Sequence, residues 1–331
     1  MATLTDIGER KAIDMIQKIL GRRAKEAARL DDAAVVRVPG AGKRDLVTTT
    51  DTLSFSTHRL KGTPARLFGY FACAVSISDI AAMGARPLGM LVAMGLPRST
   101  AVGELEDLAL GFRTACNKLD FDIWGGDLKE AQAPYVTGTA FGVVDRGRAL
   151  RRACGVKPGW KVGVTGFVGR AAFGAAMASR GDAVGYELAY MIEPRVPEGR
   201  AAARLTGKVA CIDSSDGLAA SLHHLSRANG GVGFEVDSGK LPLQPGLRKE
   251  LGVEGALRAA LGWGGDYELV LCASPKVFGD LTRAMARVGT PFTEVGRSVA
   301  GGGLSLVQDG GRKPLEPTGY EHFISEPAST P

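Results

Sequence analysis

The stretch Val209-Ala210-Cys211-Ile212-Asp213-Ser214-Ser215-Asp216-Gly217 decides how this chain is read. Its first four residues are apolar and predict a short strand, while Gly217 to Ala228 predicts a helix. Two carboxylates and two hydroxyls fall between them, at the helix N-terminus. Hydroxyls and backbone N–H groups there form a natural phosphate position. N-capping by Ser215 or Asp216 would produce the same sequence, and both roles are compatible.

Outward from this unit, strand and helix keep alternating. A helix is expected over 6–20, with Ile7, Ala12, Ile13, Ile16, Ile19 and Leu20 on one side. Strands are expected over 33–38, 46–50, 88–95, 121–124 and 135–144. Thr63-Pro64 reads as a cap followed by proline at the first helical position, opening a helix to about Met83, and 102–119 is a second long helix. Beyond Arg148, strands over 160–165, 209–212, 269–272 and 292–295 alternate with helices, one of them opened by Ser274-Pro275. The expectation is an α/β protein of two domains, 1–147 and 148–331, since a single core stops growing beyond roughly 250–300 residues. No repeat of fixed period is found, and 325–331 reads as a frayed tail.

Composition narrows the function. Hydrophobic residues make up 45% and charged residues 23% of the 331, an ordinary globular balance with a sizeable core. The net charge of +6 lies in isolated pairs such as Arg22-Arg23 and Arg151-Arg152, with no basic run interleaved with aromatics, so nucleic acid is not the expected partner. Cys73, Cys116, Cys154, Cys211 and Cys272 form no CxxC spacing, and four of the five read as buried thiols in a reducing compartment. No apolar run reaches the roughly 18–20 residues of a membrane span. Asp6, Glu9 and Asp14 make the first twenty residues unlike a signal peptide. A soluble, cytoplasmic protein is expected.

Six segments set acidic residues among small ones: Asp31-Asp32, Thr48-Thr49-Thr50-Asp51, Ser76-Ile77-Ser78-Asp79, Gly125-Gly126-Asp127, Asp213-Ser214-Ser215-Asp216, and Gly264-Gly265-Asp266-Tyr267-Glu268. Carboxylates with unobstructed approach suit hard cations such as Mg²⁺, which also take substrate phosphates as ligands. Ser76 and Asp79 sit at i and i+3 and share a helix face. Asp51 reads as the end of an apolar strand, where α/β folds gather their ligands. Asp31 and Asp32 repel each other unless a cation lies between them. Gly125-Gly126-Asp127 reads as a turn that admits an anion. Gly163-Val164-Thr165-Gly166-Phe167-Val168-Gly169 is either a phosphate cradle or a plain connection. His58 lies near the Asp51 segment, whereas His223 and His224 read as structural. No P-loop lysine, zinc pair or Ser-His-Asp arrangement is present.

Together these segments resemble the thiamine-monophosphate kinases, of the superfamily that includes AIR synthetase, selenophosphate synthetase and the hydrogenase-maturation dehydratase. The resemblance runs from about Asp31 to Phe323. It rests on Thr49-Thr50-Asp51-Thr52-Leu53 with His58, Ser78-Asp79-Ile80-Ala81-Ala82-Met83-Gly84-Ala85, Ser215-Asp216-Gly217-Leu218, Asp266-Tyr267-Glu268-Leu269 and Gly319-Tyr320-Glu321-His322-Phe323. It implies a two-domain AIR-synthetase-like fold, an N-terminal ATP/Mg²⁺ domain dimerising through its sheet, and a C-terminal α/β domain. It also implies phosphorylation of thiamine monophosphate by ATP with several Mg²⁺ ions, in a homodimer. By motif, Asp32, Thr49, Thr50, Asp51, Asp79, Asp127, Asp213 and Asp216 would be metal ligands, with Asp51, Asp79 and Asp216 central to catalysis. Gly126, Arg152 and Ser215 would contact ATP, and His58 and Tyr320 the thiamine end. The chain departs from the family at Leu128-Lys129-Glu130 (usually Thr-Thr-Arg), at Gly265 (usually glutamate) and at Leu30 (usually glycine). The alternative is another ATP-dependent enzyme of the superfamily acting on a different acceptor.

Overall fold

Eleven residues of strict in–out alternation, Tyr135–Asp145, make the central strand of the first of two sheets. The computed structural model describes residues 3–20, 31–40 and 42–323; Arg22, Arg23, Leu30 and the expected tail lie outside them. The first half runs α1 (Leu4–Leu20), β1 (Ala34–Val36), β2 (Arg44–Ser54), α2 (Phe55–His58), α3 (Ala65–Ala82), β3 (Arg86–Leu96), α4 (Val102–Leu119), β4 (Asp122–Glu130) and β5 (Tyr135–Asp145). Its sheet has the order β1-β2-β5-β3-β4. All neighbours are antiparallel except β3 and β4, which the α4 crossover makes parallel.

The second half runs β6 (Lys161–Thr165), α5 (Arg170–Ala178), α6 (Ala183–Tyr190), α7 (Val196–Ala203), β7 (Val209–Asp213), α8 (Leu218–Ala228) and β8 (Gly233–Asp237). It continues with α9 (Leu247–Gly262), β9 (Leu269–Ala273), α10 (Pro275–Val288), β10 (Phe292–Val299), β11 (Leu304–Gln308) and β12 (Gly311–Pro314). Its seven strands are ordered β12-β11-β8-β10-β6-β9-β7. Strands β7 and β9 are buried at every position, which is why they read as unbroken apolar runs.

Helix α3 is the pivot. It is apolar nearly all round, and a helix of that kind is buried. By length and composition it could cross a membrane, but here it packs between the first sheet and α4. Gly69 and Gly111 let α3 and α4 approach backbone to backbone. A Cβ at Gly69 would lie 2.3 Å from the Leu108 carbonyl oxygen, and one at Gly111 2.2 Å from that of Arg66.

Four sequence expectations change. Strand β2 continues past Asp51 to Ser54, so Asp51 sits inside a strand, opposite Gly138. The Gly125-Gly126-Asp127 segment is not a turn: β4 runs through it in parallel register with β3, and a φ of 151° at Gly125 absorbs the shift between Met90 and Leu91. Pro64 is the N-cap of α3, one residue before the first helical position. Helix α1 breaks at Gly8, and its Ile13, Ile16, Ile19 and Leu20 are exposed.

Gly111→Ala should force α4 off α3. A loss of about 1–3 kcal/mol, typical of overpacking, is expected as a lower denaturant midpoint. An unchanged midpoint would mean that the close approach does not matter.

Candidate metal and phosphate site

Five separate segments converge where the two sheets meet at α3. Strand alternation turns Thr49 and Asp51 toward α3 and Thr50 to the opposite face, where it bonds Thr139. One face of α3 presents Ser76 and Asp79. Ser76 Oγ donates to Asp51 Oδ2 at 2.7 Å, and Thr49 Oγ1 donates to Asp79 Oδ2 at 2.6 Å. Ser78, one residue from Asp79, reaches the other half of the molecule and donates to Asp213 Oδ2 at 2.7 Å. Asp213 ends β7 and also accepts from Ser215 Oγ at 3.0 Å. Asp32, ahead of β1, is held by the Arg152 guanidinium, while its neighbour Asp31 takes the Arg152 backbone N–H and Arg151 Nη1.

Asp32, Asp79 and Asp213 offer carboxylate oxygens within 4.8 Å of one another. Burial pushes Asp79 well above the usual carboxylate range, and Asp51, Asp213 and Asp32 raise it further. Burial likewise raises Asp51 and Asp213, and it lifts Asp32 to about 6 despite Arg152. Arg152 is itself buried, yet Asp32 outweighs that penalty and holds it charged. Asp32, Asp79 and Asp213 thus act on one guanidinium, and Asp32 Oδ2 is buried with no hydrogen-bond partner. An all-oxygen donor set with an orphaned, inward oxygen fits a hard divalent cation.

The other expected residues are distributed unequally. Asp216 follows on the loop into α8 and adds to the charge around Asp213. Ser215 stands with it at the α8 N-terminus. His58 and Tyr320 come together, ring centroids 6.0 Å apart, with His322 within 5.6 Å of His58. Gly126 and Asp127 are not at the cluster. In sheet register Asp51 pairs Gly138, which pairs Val92, which pairs Gly126. Three strand spacings put β4 about 14 Å away. Asp127 is exposed there and pairs with Lys129 at 3.2 Å. The loop 166–169 is no open phosphate cradle, because Asp266 Oδ2 and Oδ1 already accept from the N–H groups of Gly169 and Ala171 at 2.6 and 2.9 Å. Sequence reading missed Tyr267. Its phenol is pushed well above its usual range by burial, then by Asp213, Asp51, Asp216 and Asp79, and its ring packs against Phe71 of α3. The available signal was its place between two acids just before an apolar strand.

Residues 30–144 match the family described as AIR synthase related protein, N-terminal domain. The full chain belongs to the thiamine-monophosphate kinase family. It is 37% identical over 292 residues to the thiamine-monophosphate kinase of Methanospirillum hungatei JF-1, covering 88% of this chain and 92% of that one. With the Escherichia coli K12 kinase it shares 34% over 304 residues, covering 89% and 91%. The solved structure of AaThiL complexed with AMPPCP and TMP superposes with a TM-score of 0.84 at 26% identity, covering 97% of this chain and 99% of that one.

Arg152→Met should cost about 3–5 kcal/mol, because it strands Asp32 as an uncompensated buried charge. Adding Asp32→Asn should recover part of the loss in denaturant unfolding. Additive costs for the two changes would show that the pair is not coupled.

Proposed function

We propose that this chain phosphorylates thiamine monophosphate to thiamine diphosphate at the expense of ATP, using several Mg²⁺ ions. The observation that carries the reading is the convergence of Asp32, Asp79 and Asp213, with Asp32 Oδ2 buried and unpartnered. Membership of a family named for this activity, and a similar solved structure complexed with AMPPCP and TMP, support it.

Phosphoryl transfer asks mainly for positioning and charge neutralisation. Asp32, Thr49, Asp51, Asp79, Asp213 and Asp216 would hold Mg²⁺, which would supply the neutralisation that a lysine loop gives elsewhere. Ser215 and the first N–H groups of α8 orient a phosphate, and Arg152 adds fixed positive charge beside Asp32. His58, kept neutral by burial, and Tyr320 form an aromatic wall suited to the thiamine end. The acceptor phosphate attacks the γ-phosphate in line, without a phosphoenzyme.

Thr50, Gly126 and Asp127 enter through a dimer. The outer face of the first sheet carries Leu91, Trp124 and the paired Thr50–Thr139 and Thr52–Thr137 hydroxyls, with the large apolar residues exposed. A second copy laid on that face would bring its Asp127 to Thr50 of the first. Residues 1–147 would then be the ATP/Mg²⁺ and dimerisation domain, and 148–331 the α/β domain above it, in a cytoplasmic enzyme. One observation favours a different acceptor within the same superfamily. Gly265 has φ +81°, so the acidic side chain expected there is missing and would be strained if restored.

A coupled assay should record ADP formation that depends on thiamine monophosphate. Asp79→Asn should lower it at least about a hundredfold with the fold intact, since a cation ligand is worth several kcal/mol in the transition state. ADP formation only with another acceptor would overturn this substrate assignment.

The raised carboxylates also set a pH dependence. Asp32 titrates near 6 in the folded chain against 3.8 in its ordinary state, so the folded state holds protons that the unfolded state has lost. The metal-free protein should therefore gain stability as pH falls through about 6, levelling off below about 4. Mg²⁺ must displace those protons, so it should bind more weakly, with greater proton release, at pH 5 than at pH 8. Calorimetry in buffers of differing ionisation enthalpy measures this. Affinity independent of pH would remove the buried carboxylates from the metal site.

A further inference from the structure

A second concave site lies away from the carboxylate seam. A cavity of about 380 Å³ is lined by Arg44, Arg86, Arg148, Arg200 and Arg204, with Asp145 as its one acidic residue. We propose that this cavity binds a small ligand carrying a diphosphate group, at a site separate from the one that performs the proposed phosphoryl transfer.

Three observations carry the assignment. The first is charge: five guanidiniums face one carboxylate. Among the described residues, Arg44, Arg86, Arg200 and Arg204 form no ion pair, although most other arginines of the chain do. Arg200 is half-buried there, and burial first, then Arg204 and Arg86, destabilise its charge. Five like charges gathered around a single carboxylate call for an anion. The second is shape. The volume falls within the roughly 300–1,000 Å³ of small-molecule sites, and planar guanidinium forks match phosphate oxygens two at a time.

The third is how the cavity is built. Arg44, Arg86 and Asp145 stand at the ends of β2, β3 and β5, while Arg200 and Arg204 come from α7 of the other half. Arg148 Nη1 donates to the Leu205 carbonyl at 3.1 Å and ties the two walls together. The floor includes Gly84, where a Cβ would lie 2.5 Å from Ala203 Cβ. None of the lining residues belongs to the carboxylate cluster. Several guanidiniums converging on one rigid hollow favour two linked phosphates over one, and a compact ligand over an extended strand.

The site is tested on the full chain in EDTA, so that the carboxylate seam cannot hold a metal–phosphate complex. Inorganic pyrophosphate and ADP are titrated separately, with inorganic phosphate as comparison, by calorimetry and thermal unfolding. Saturable binding of pyrophosphate is expected, weaker by about tenfold or more for inorganic phosphate and for Arg204→Ala, as loss of charge-assisted contacts implies. Arg204 is exposed, so its removal spares the fold; Arg204→Lys, which keeps charge without the fork, should fall between. Asp79→Asn should bind pyrophosphate as the unaltered chain does. ADP binding as tightly as pyrophosphate would identify the diphosphate as the recognised group. Absence of saturable binding would overturn the proposal, as would equal binding by Arg204→Ala or loss of binding in Asp79→Asn. Binding only to oligonucleotides, with a steep salt dependence, would also overturn it. ADP formation by the kinase assay is a separate readout, so either reading can fail alone.

Discussion

Placing four carboxylates where water is scarce is unfavourable, and the rest of the structure is arranged around that constraint. Each of Asp32, Asp51, Asp79 and Asp213 is drawn above its ordinary titration range, with burial as the leading cause. The chain partly offsets this with hydroxyl donors: Ser76 to Asp51, Thr49 to Asp79, and Ser78 and Ser215 to Asp213. Arg152 cancels only one charge, and Asp32 keeps an oxygen with no partner. What remains is a preorganised demand for positive charge, which is how a site without a P-loop lysine can hold phosphates.

Helix α3 makes that arrangement possible. It supplies Ser76, Ser78 and Asp79 within one turn; Ser76 and Asp79 bond β2, while Ser78 bonds β7. A helix with ligands toward both halves must be surrounded, so it is apolar on every other side and contributes much of the first core. The glycine contacts with α4 and with β5 at Gly138 bring its neighbours close enough to position Asp51 opposite Ser76. The junction is therefore rigid because of packing, and the acidic groups inherit that rigidity.

Elements whose period and ends coincide in sequence were legible. Helix α4 has the bounds its pattern predicts, and β5 and β9 lie within a residue of theirs. Segments where small residues carry the backbone past an apparent stop were not. Asp51 looks like a strand end and Gly-Gly-Asp127 like a turn, but neighbouring strands supply the ladder that continues β2 and β4. The small neighbours of Asp32, Asp79 and Asp213 single them out in sequence, and their carboxylate oxygens lie within 4.8 Å of one another. That signal could not separate Asp127, because strand register across three neighbours is a non-local property. The Arg152–Asp32 pair, 120 residues apart in sequence, was equally invisible as a contact.

Asp266-Tyr267-Glu268 shows how an acidic motif can serve a site without binding at it. Asp266 caps α5, and Glu268 takes both ends of the Arg195 fork at 2.6 Å together with Thr165 Oγ1 at 2.6 Å. Both carboxylates are thereby committed to the protein itself. Between them Tyr267 adopts φ 53°, a left-handed backbone costing roughly 1–2 kcal/mol for a residue with a side chain. Two anchored neighbours can impose that strain, and they fix the ring edge-on to Phe71 of α3, with 5.8 Å between centroids. The motif thus serves as a frame: its two carboxylates anchor α5 and Arg195, and the strained residue between them packs against the helix that carries Ser76 and Asp79.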